Sequence, residues 1–70
     1  DTHIDYFDDE ELDAFKNMEP DAYTDEQIEM FREILYTLRT EDLENWLISL
    51  EKREINFPTV LRPEAYDMLP

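Results

Sequence analysis

Apolar residues recur at helical spacing in the middle of the chain. Just before the first such stretch, the segment YTDEQI offers Thr24 as an N-cap and Gln27 three residues later, the pattern of a capping box. The apolar residues that follow lie at intervals of three or four, as on one face of an α-helix. They are Ile28, Phe31, Ile34, Leu35 and Leu38. The pattern predicts a helix over about 25–39.

A second helical pattern follows directly, with Leu43, Trp46, Leu47 and Leu50 as its apolar members. Thr40 precedes two acidic residues, which is typical of an N-cap and an acidic first turn. The alternative is one helix that continues to about 54. We favour a break at Thr40, because one long helix would leave its apolar stripe without a partner. The sequence thus predicts a helical hairpin over about 25–39 and 41–54.

The flanking segments carry weaker signals. The segment DDEELDAFKNM predicts a short acidic helix near 8–18, with Leu12, Phe15 and Met18 facing inward and Pro20 just beyond its end. Residues 55–70 contain prolines and β-branched residues and predict a largely extended tail, which has room for one helical turn that begins with Pro63 at N1. The predicted fold is all-α, one domain over 1–70 with an arm at 1–7, helices over 8–54 and the tail at 55–70.

Some apolar residues fall outside the two main stripes. Met30, Tyr36 and Ile48 lie on other faces of their predicted helices. Helices with a second apolar face are typically buried on more than one side. In a chain of 70 residues, that second side predicts either a homo-oligomer or a subunit of a larger complex.

The composition restricts the chemistry. The chain has no cysteine, no glycine and only one histidine, His3. These absences exclude disulfides, thiolate metal sites and glycine-rich phosphate loops. Ser49 is the single serine, so a nucleophilic triad is excluded as well. We therefore expect no enzyme activity, no catalytic residue, no cofactor and no metal site.

The charge changes the picture most. The chain has 20 acidic and 6 basic residues, a net charge of −14, and residues 1–30 hold 12 of the acids with Lys16 as their only base. Such a charge repels nucleic acid and anionic membranes and attracts basic protein surfaces. No apolar run approaches the roughly 20 residues of a membrane span. We expect a cytoplasmic location, with the nucleus as the alternative, and no direct contact with nucleic acid or membrane.

In residues 4–15, which we call the front segment, acidic residues are interleaved with aromatic residues. An acidic helix can occupy a basic groove as a phosphate backbone does, or it can be a solvated face that only maintains solubility. The neighbouring Ile4, Tyr6 and Phe7 either fold back onto the core or insert into a partner. The same choice applies to Phe57 and Tyr66 in the tail.

These features predict a small acidic regulatory protein that masks a basic surface of a partner protein, with nucleic-acid mimicry as one route. The alternative is an accessory subunit that docks through its apolar helices and tail. The candidate partner-binding residues are Tyr6, Phe7, Asp8, Asp9, Glu10, Glu11, Asp13, Trp46, Phe57 and Tyr66. On the masking hypothesis, neutralising the five acids of this set should abolish binding without unfolding the domain.

Overall fold

A computed structural model describes residues 6–70, which contain three α-helices, two short 3-10 helices and no β-strand. The first 3-10 helix is Glu10–Phe15, followed by α1 (Asp25–Thr37) and α2 (Thr40–Lys52). The second 3-10 helix, Thr59–Leu61, leads directly into α3 (Arg62–Met68). The all-α fold class is confirmed. The expectations for His3 and Ile4 lie outside the described residues.

The start of α1 follows the sequence signal. The Thr24 hydroxyl accepts a hydrogen bond from the Gln27 N–H at 3.2 Å, and the Gln27 side chain accepts one from the Thr24 N–H at 2.9 Å. This reciprocal pair is the predicted capping box. The helix ends at Thr37 because Leu38 and Arg39 are extended. The break between α1 and α2 is therefore confirmed, with Thr40 as the first helical residue rather than the cap.

The end of α2 is a Schellman turn. The Ile55 N–H donates to the Leu50 carbonyl at 2.9 Å, and the Glu54 N–H donates to the Glu51 carbonyl at 3.0 Å. Glu54 occupies the left-handed position that glycine usually takes, with φ of 62°. For a residue with a Cβ, this conformation costs roughly 1–2 kcal/mol. Leu50 and Ile55 are both buried, as is typical of this turn.

The front helix differs from the prediction. It is a 3-10 helix of six residues instead of a helix over 8–18. Asp8 and Asn17 both have positive φ, 58° and 67°, and so interrupt helical geometry on either side. The 3-10 form places residues three apart on the same side. Leu12 and Phe15 are consequently buried together.

The tail is helical over residues 59–68, more than the largely extended chain that was predicted, and the helical turn predicted at Pro63 lies in the first turn of α3. Leu61 and Ala65 are buried four residues apart, which gives α3 an apolar side against the core. Polar bonds hold the tail to the chain before α1: the Asn56 side chain donates to the Met18 carbonyl at 2.7 Å. The Thr59 N–H donates to the Pro20 carbonyl at 3.2 Å. The proline content of the tail gave no indication of these two partners, because they lie far away along the chain.

An aromatic cluster forms the middle of the core. The Phe31 ring of α1 lies 5.9 Å from the Phe15 ring, 5.1 Å from Tyr23 and 6.0 Å from Phe57, between ring centroids. Trp46 of α2 meets Phe57 edge to face at 5.8 Å. Such pairs contribute about 0.5–1.5 kcal/mol each beyond burial. The cluster joins α1 and α2 to the front segment and to the chain before α3.

No helix between residues 6 and 70 is long and apolar enough to cross a membrane.

The cap of α1 yields a first prediction. Replacing Thr24 by alanine should lower the free energy of unfolding by about 1 kcal/mol, because one N–H of the first turn loses its acceptor. Urea unfolding followed by Trp46 fluorescence measures the change. Thr59→Ala is the matched control, since Thr59 is exposed and its side chain makes no hydrogen bond in the described part of the chain. Equal losses in the two variants would contradict the capping assignment.

Candidate functional site

A buried arginine lies where α2 meets the front segment. Arg53 directly follows α2 and is 3% exposed. Its Nη1 donates to Asp9 Oδ2 at 3.0 Å, and its Nη2 donates to the Asp9 carbonyl, also at 3.0 Å. Its Nε donates to Asp13 Oδ1 at 2.9 Å. One guanidinium thus engages two acids of the front segment.

Asp9 is completely buried and fully hydrogen-bonded. Besides Arg53, its carboxylate accepts from Trp46 Nε1 at 2.8 Å and from the Phe7 N–H at 3.1 Å. Burial by itself would raise the pKa of Asp9, but the hydrogen bonds from Arg53, Phe7 and Trp46 outweigh it and hold the pKa below its usual value. Asp9 is therefore a structural anion.

The aromatic arm closes over this site. The Tyr6 ring stacks on the Arg53 guanidinium, with Cζ 4.4 Å from the ring centroid, a cation–π contact. Phe7 is half-buried against the core. The arm folds back at these two residues, and its other apolar member, Ile4, lies outside the described part. Tyr6 is 45% exposed and still offers an aromatic edge to a partner.

The candidate binding residues divide by burial. Asp9 and Trp46 are both 0% exposed, so neither presents a surface to a partner. Asp13 is half-buried, and one of its carboxylate oxygens pairs with Arg53. The five acids of that set include both carboxylates that pair with Arg53, the buried Asp9 and the half-buried Asp13, so we now expect neutralising all five to destabilise the fold.

The remaining candidates are accessible. Asp8, Glu10 and Glu11 are exposed and form no ion pair within residues 6–70, and we call these three the acidic edge. Tyr66 is 59% exposed and Phe57 is half-buried.

Sequence reasoning missed Arg53 itself. A signal was present, because Arg53 continues the spacing of Trp46 and Leu50 along the buried face of α2. A base at a core position requires buried acidic partners.

Acidic residues also occupy the outer faces of both long helices. On α1 these are Glu26, Glu29 and Glu33, spaced three and four residues apart and all exposed. On α2, Glu41 and Glu44 are exposed as well. The bases nearby are few, and Arg32 is already shared between Glu29 and Glu64.

A polar contact joins α1 to α3 beside that arginine. The Tyr36 hydroxyl donates to Glu64 Oε1 at 2.5 Å. This bond, helped by Arg32, lowers the pKa of Glu64, and it raises the pKa of Tyr36. Tyr36 is exposed and Glu64 is half-buried, so the bond adds little to the free energy of unfolding. It joins α3 to the outer face of α1.

An open groove separates the end of α2 from α3. Its volume is about 450 Å³, and its apolar lining includes Leu47, Phe57 and Ala65. The charged residues at the groove are Glu51, Glu54 and Arg62, with Tyr66 beside them. We refer to this feature as the α2–α3 groove.

Comparisons with protein-family models, curated proteins and solved structures found no match to this chain. Over residues 6–70, the fold and its surface define a small all-α protein with carboxylate-rich outer faces and an open, partly apolar groove between α2 and α3.

The buried anion gives a second prediction. Asp9→Asn should lower the free energy of unfolding by about 3–5 kcal/mol, because it leaves the Arg53 charge without its buried partner. Asp8→Asn is the matched control: Asp8 is adjacent and exposed, and asparagine tolerates its positive φ. That control should change stability by less than about 0.5 kcal/mol. Urea unfolding of both variants makes the comparison, and similar losses would contradict a structural role specific to Asp9.

A third prediction concerns acid. Because the pKa of Asp9 is lowered in the folded state, its carboxylate stabilises the fold above the unfolded-state pKa of about 3.9. That contribution is lost as the pH falls through the lower, folded-state value. The free energy of unfolding should therefore drop as the pH falls below about 4. Urea titrations across this range test it, and stability that rises steadily down to pH 2 would mean that relief of carboxylate repulsion dominates instead.

Proposed function

We propose that this protein binds and masks a basic surface of a partner protein. The observation that carries the proposal is the division of the acidic front segment. Asp9 and Asp13 neutralise a buried arginine, whereas the acidic edge remains exposed and unpaired within the described chain. Stability does not require these outward carboxylates, so they are available to a partner.

Physical chemistry favours a basic partner. A surface of one charge sign accelerates the encounter with a surface of the opposite sign. The attraction weakens as salt screens it. Tyr6, partly exposed near the acidic edge, adds an aromatic anchor of the kind that often dominates interface energetics. Charge then steers the approach and the ring slows departure.

Nucleic-acid mimicry is the narrower form of the proposal. Carboxylates on α1 recur every three or four residues, or about every 4.5–6 Å along the helix axis. A DNA strand presents one phosphate per about 3.4 Å. The protein surface is therefore less densely charged than a nucleic-acid strand. This supports competition for a basic surface more than phosphate-by-phosphate imitation.

An accessory-subunit function is the alternative, and exposed apolar side chains near the tail favour it. Val60 is 60% exposed and Tyr66 is 59% exposed. Binding through these residues alone would depend little on salt. Of the residues first expected to carry it, only Tyr66 is well exposed, since Trp46 is buried and Phe57 is half-buried.

The fourth prediction tests the acidic edge. The triple variant Asp8→Asn, Glu10→Gln, Glu11→Gln should lose a basic partner captured from native lysate while keeping its urea midpoint. Wild-type capture should be strong at about 50 mM salt and weak at about 200 mM salt, since release of bound ions drives such binding. Mass spectrometry identifies the captured protein and its charge.

A second triple variant controls for net charge. Glu26→Gln, Glu33→Gln, Glu44→Gln removes the same number of charges from exposed carboxylates on α1 and α2 that form no ion pair in the described chain. It should retain the partner. Equal loss in both variants would show that only total charge matters, and retention by both at both salts would instead favour the accessory-subunit alternative.

A further inference from the structure

The α2–α3 groove combines an apolar lining with charges that the fold does not use. Glu51 and Glu54 belong to α2 and its terminal turn, and Arg62 begins α3. Within residues 6–70, none of the three forms an ion pair, and all are exposed. The two walls therefore carry opposite charges that are not neutralised by each other.

Glu54 is an unexpected residue for its position. Its left-handed conformation is one that glycine adopts without a steric penalty. The two other positive-φ residues are Asp8 and Asn17, types that tolerate this conformation. A glutamate has no such tolerance, and its side chain lies at the groove. A local conflict of this kind is most often found where a side chain has a function.

We propose that the α2–α3 groove binds a segment of the partner in which a large apolar side chain adjoins a lysine or arginine. The apolar side chain lies between Leu47, Phe57 and Tyr66, and the basic group meets Glu51 and Glu54. Arg62 on the other wall repels that basic group and so sets the direction of the segment. This inference rests on the proposed function, because it names the part of a basic partner that is anchored.

Other occupants fit the groove less well. A small molecule needs convergent polar groups in its site. Every buried side-chain nitrogen and oxygen in the described chain already has a hydrogen-bond partner. A second copy of the chain would bring together two bodies of net charge −14, which repel each other. A basic, apolar segment is the occupant whose charge complements the protein.

The fifth prediction uses three synthetic 14-residue peptides as probes of the isotope-labelled full chain. The first has leucine and lysine at helical spacing, the second has serine for every leucine, and the third has glutamate for every lysine. Only the leucine–lysine peptide should shift the backbone amide signals of Leu47, Phe57 and Tyr66. That result would show that binding to the groove requires both the apolar and the basic side chains of the peptide.

Two glycine variants make the test specific. Glu54→Gly should raise the urea midpoint, because glycine adopts the left-handed conformation without a steric penalty. It should also lower the affinity for the leucine–lysine peptide by about threefold, because one exposed charge pair is lost. Asn17→Gly changes another left-handed residue that does not line the groove and should not weaken the peptide. Tyr66→Ala should lower the affinity for the leucine–lysine peptide by about tenfold. Since Glu54→Gly is the more stable protein, weaker binding is not a sign of unfolding.

Several results would overturn the inference. The peptide would lie elsewhere if the shifts were confined to the acidic edge or if Glu54→Gly kept the wild-type affinity. Equal binding of the serine peptide would show that the apolar lining of the groove does not contribute. Groove signals that change with protein concentration alone would assign the groove to a second copy. The acidic-edge triple variant separates the two proposals: if it keeps its lysate partner while Glu54→Gly binds the peptide more weakly, the groove stands and the acidic edge does not.

Discussion

The Arg53 guanidinium is a full charge taken out of water, and its neutralisation determines how this protein is assembled. Burying an ion costs several kcal/mol even after relaxation, so a buried arginine requires partners with good geometry. Asp9 and Asp13 supply them from 44 and 40 residues away along the chain. The front segment must therefore lie across the end of α2. That placement also brings Leu12 and Phe15 into the core, where they pack with residues of the helices.

This arrangement separates two uses of negative charge within a few residues of each other. Asp9 is surrounded by donors and stabilises the fold, whereas Asp8 and Glu10 point to solvent on either side of it. A net charge of −14 on 70 residues opposes compaction through self-repulsion. The aromatic cluster around Phe31 and the buried ion pairs oppose that repulsion. The acidic edge forms no ion pair in the described chain and adds to the negative charge, and the proposed interaction is the role that we assign to it.

Sequence reasoning succeeded where the signal was local. The α1 start was predictable because Thr24 and Gln27 satisfy each other within one turn. The apolar spacing of α2 likewise identified its buried face, including Trp46 and Leu50. It failed at the front helix, which is interrupted by left-handed residues, and at the tail, whose polar bonds reach back to Met18 and Pro20. The candidate site showed the same division: composition indicated an acidic surface, but not which acids are buried.

Amino-acid order alone determined the all-α class, the capped start of α1 and the excess of carboxylates, because each depends on residues within a few positions or on composition. Tertiary structure alone decided that Asp9 binds Arg53 while Asp8 faces solvent, and that the tail folds into α3 beside an open groove. The physical reason is desolvation. The free energy of a charged or apolar side chain depends on which distant residues exclude water from it, and local spacing carries no record of those neighbours.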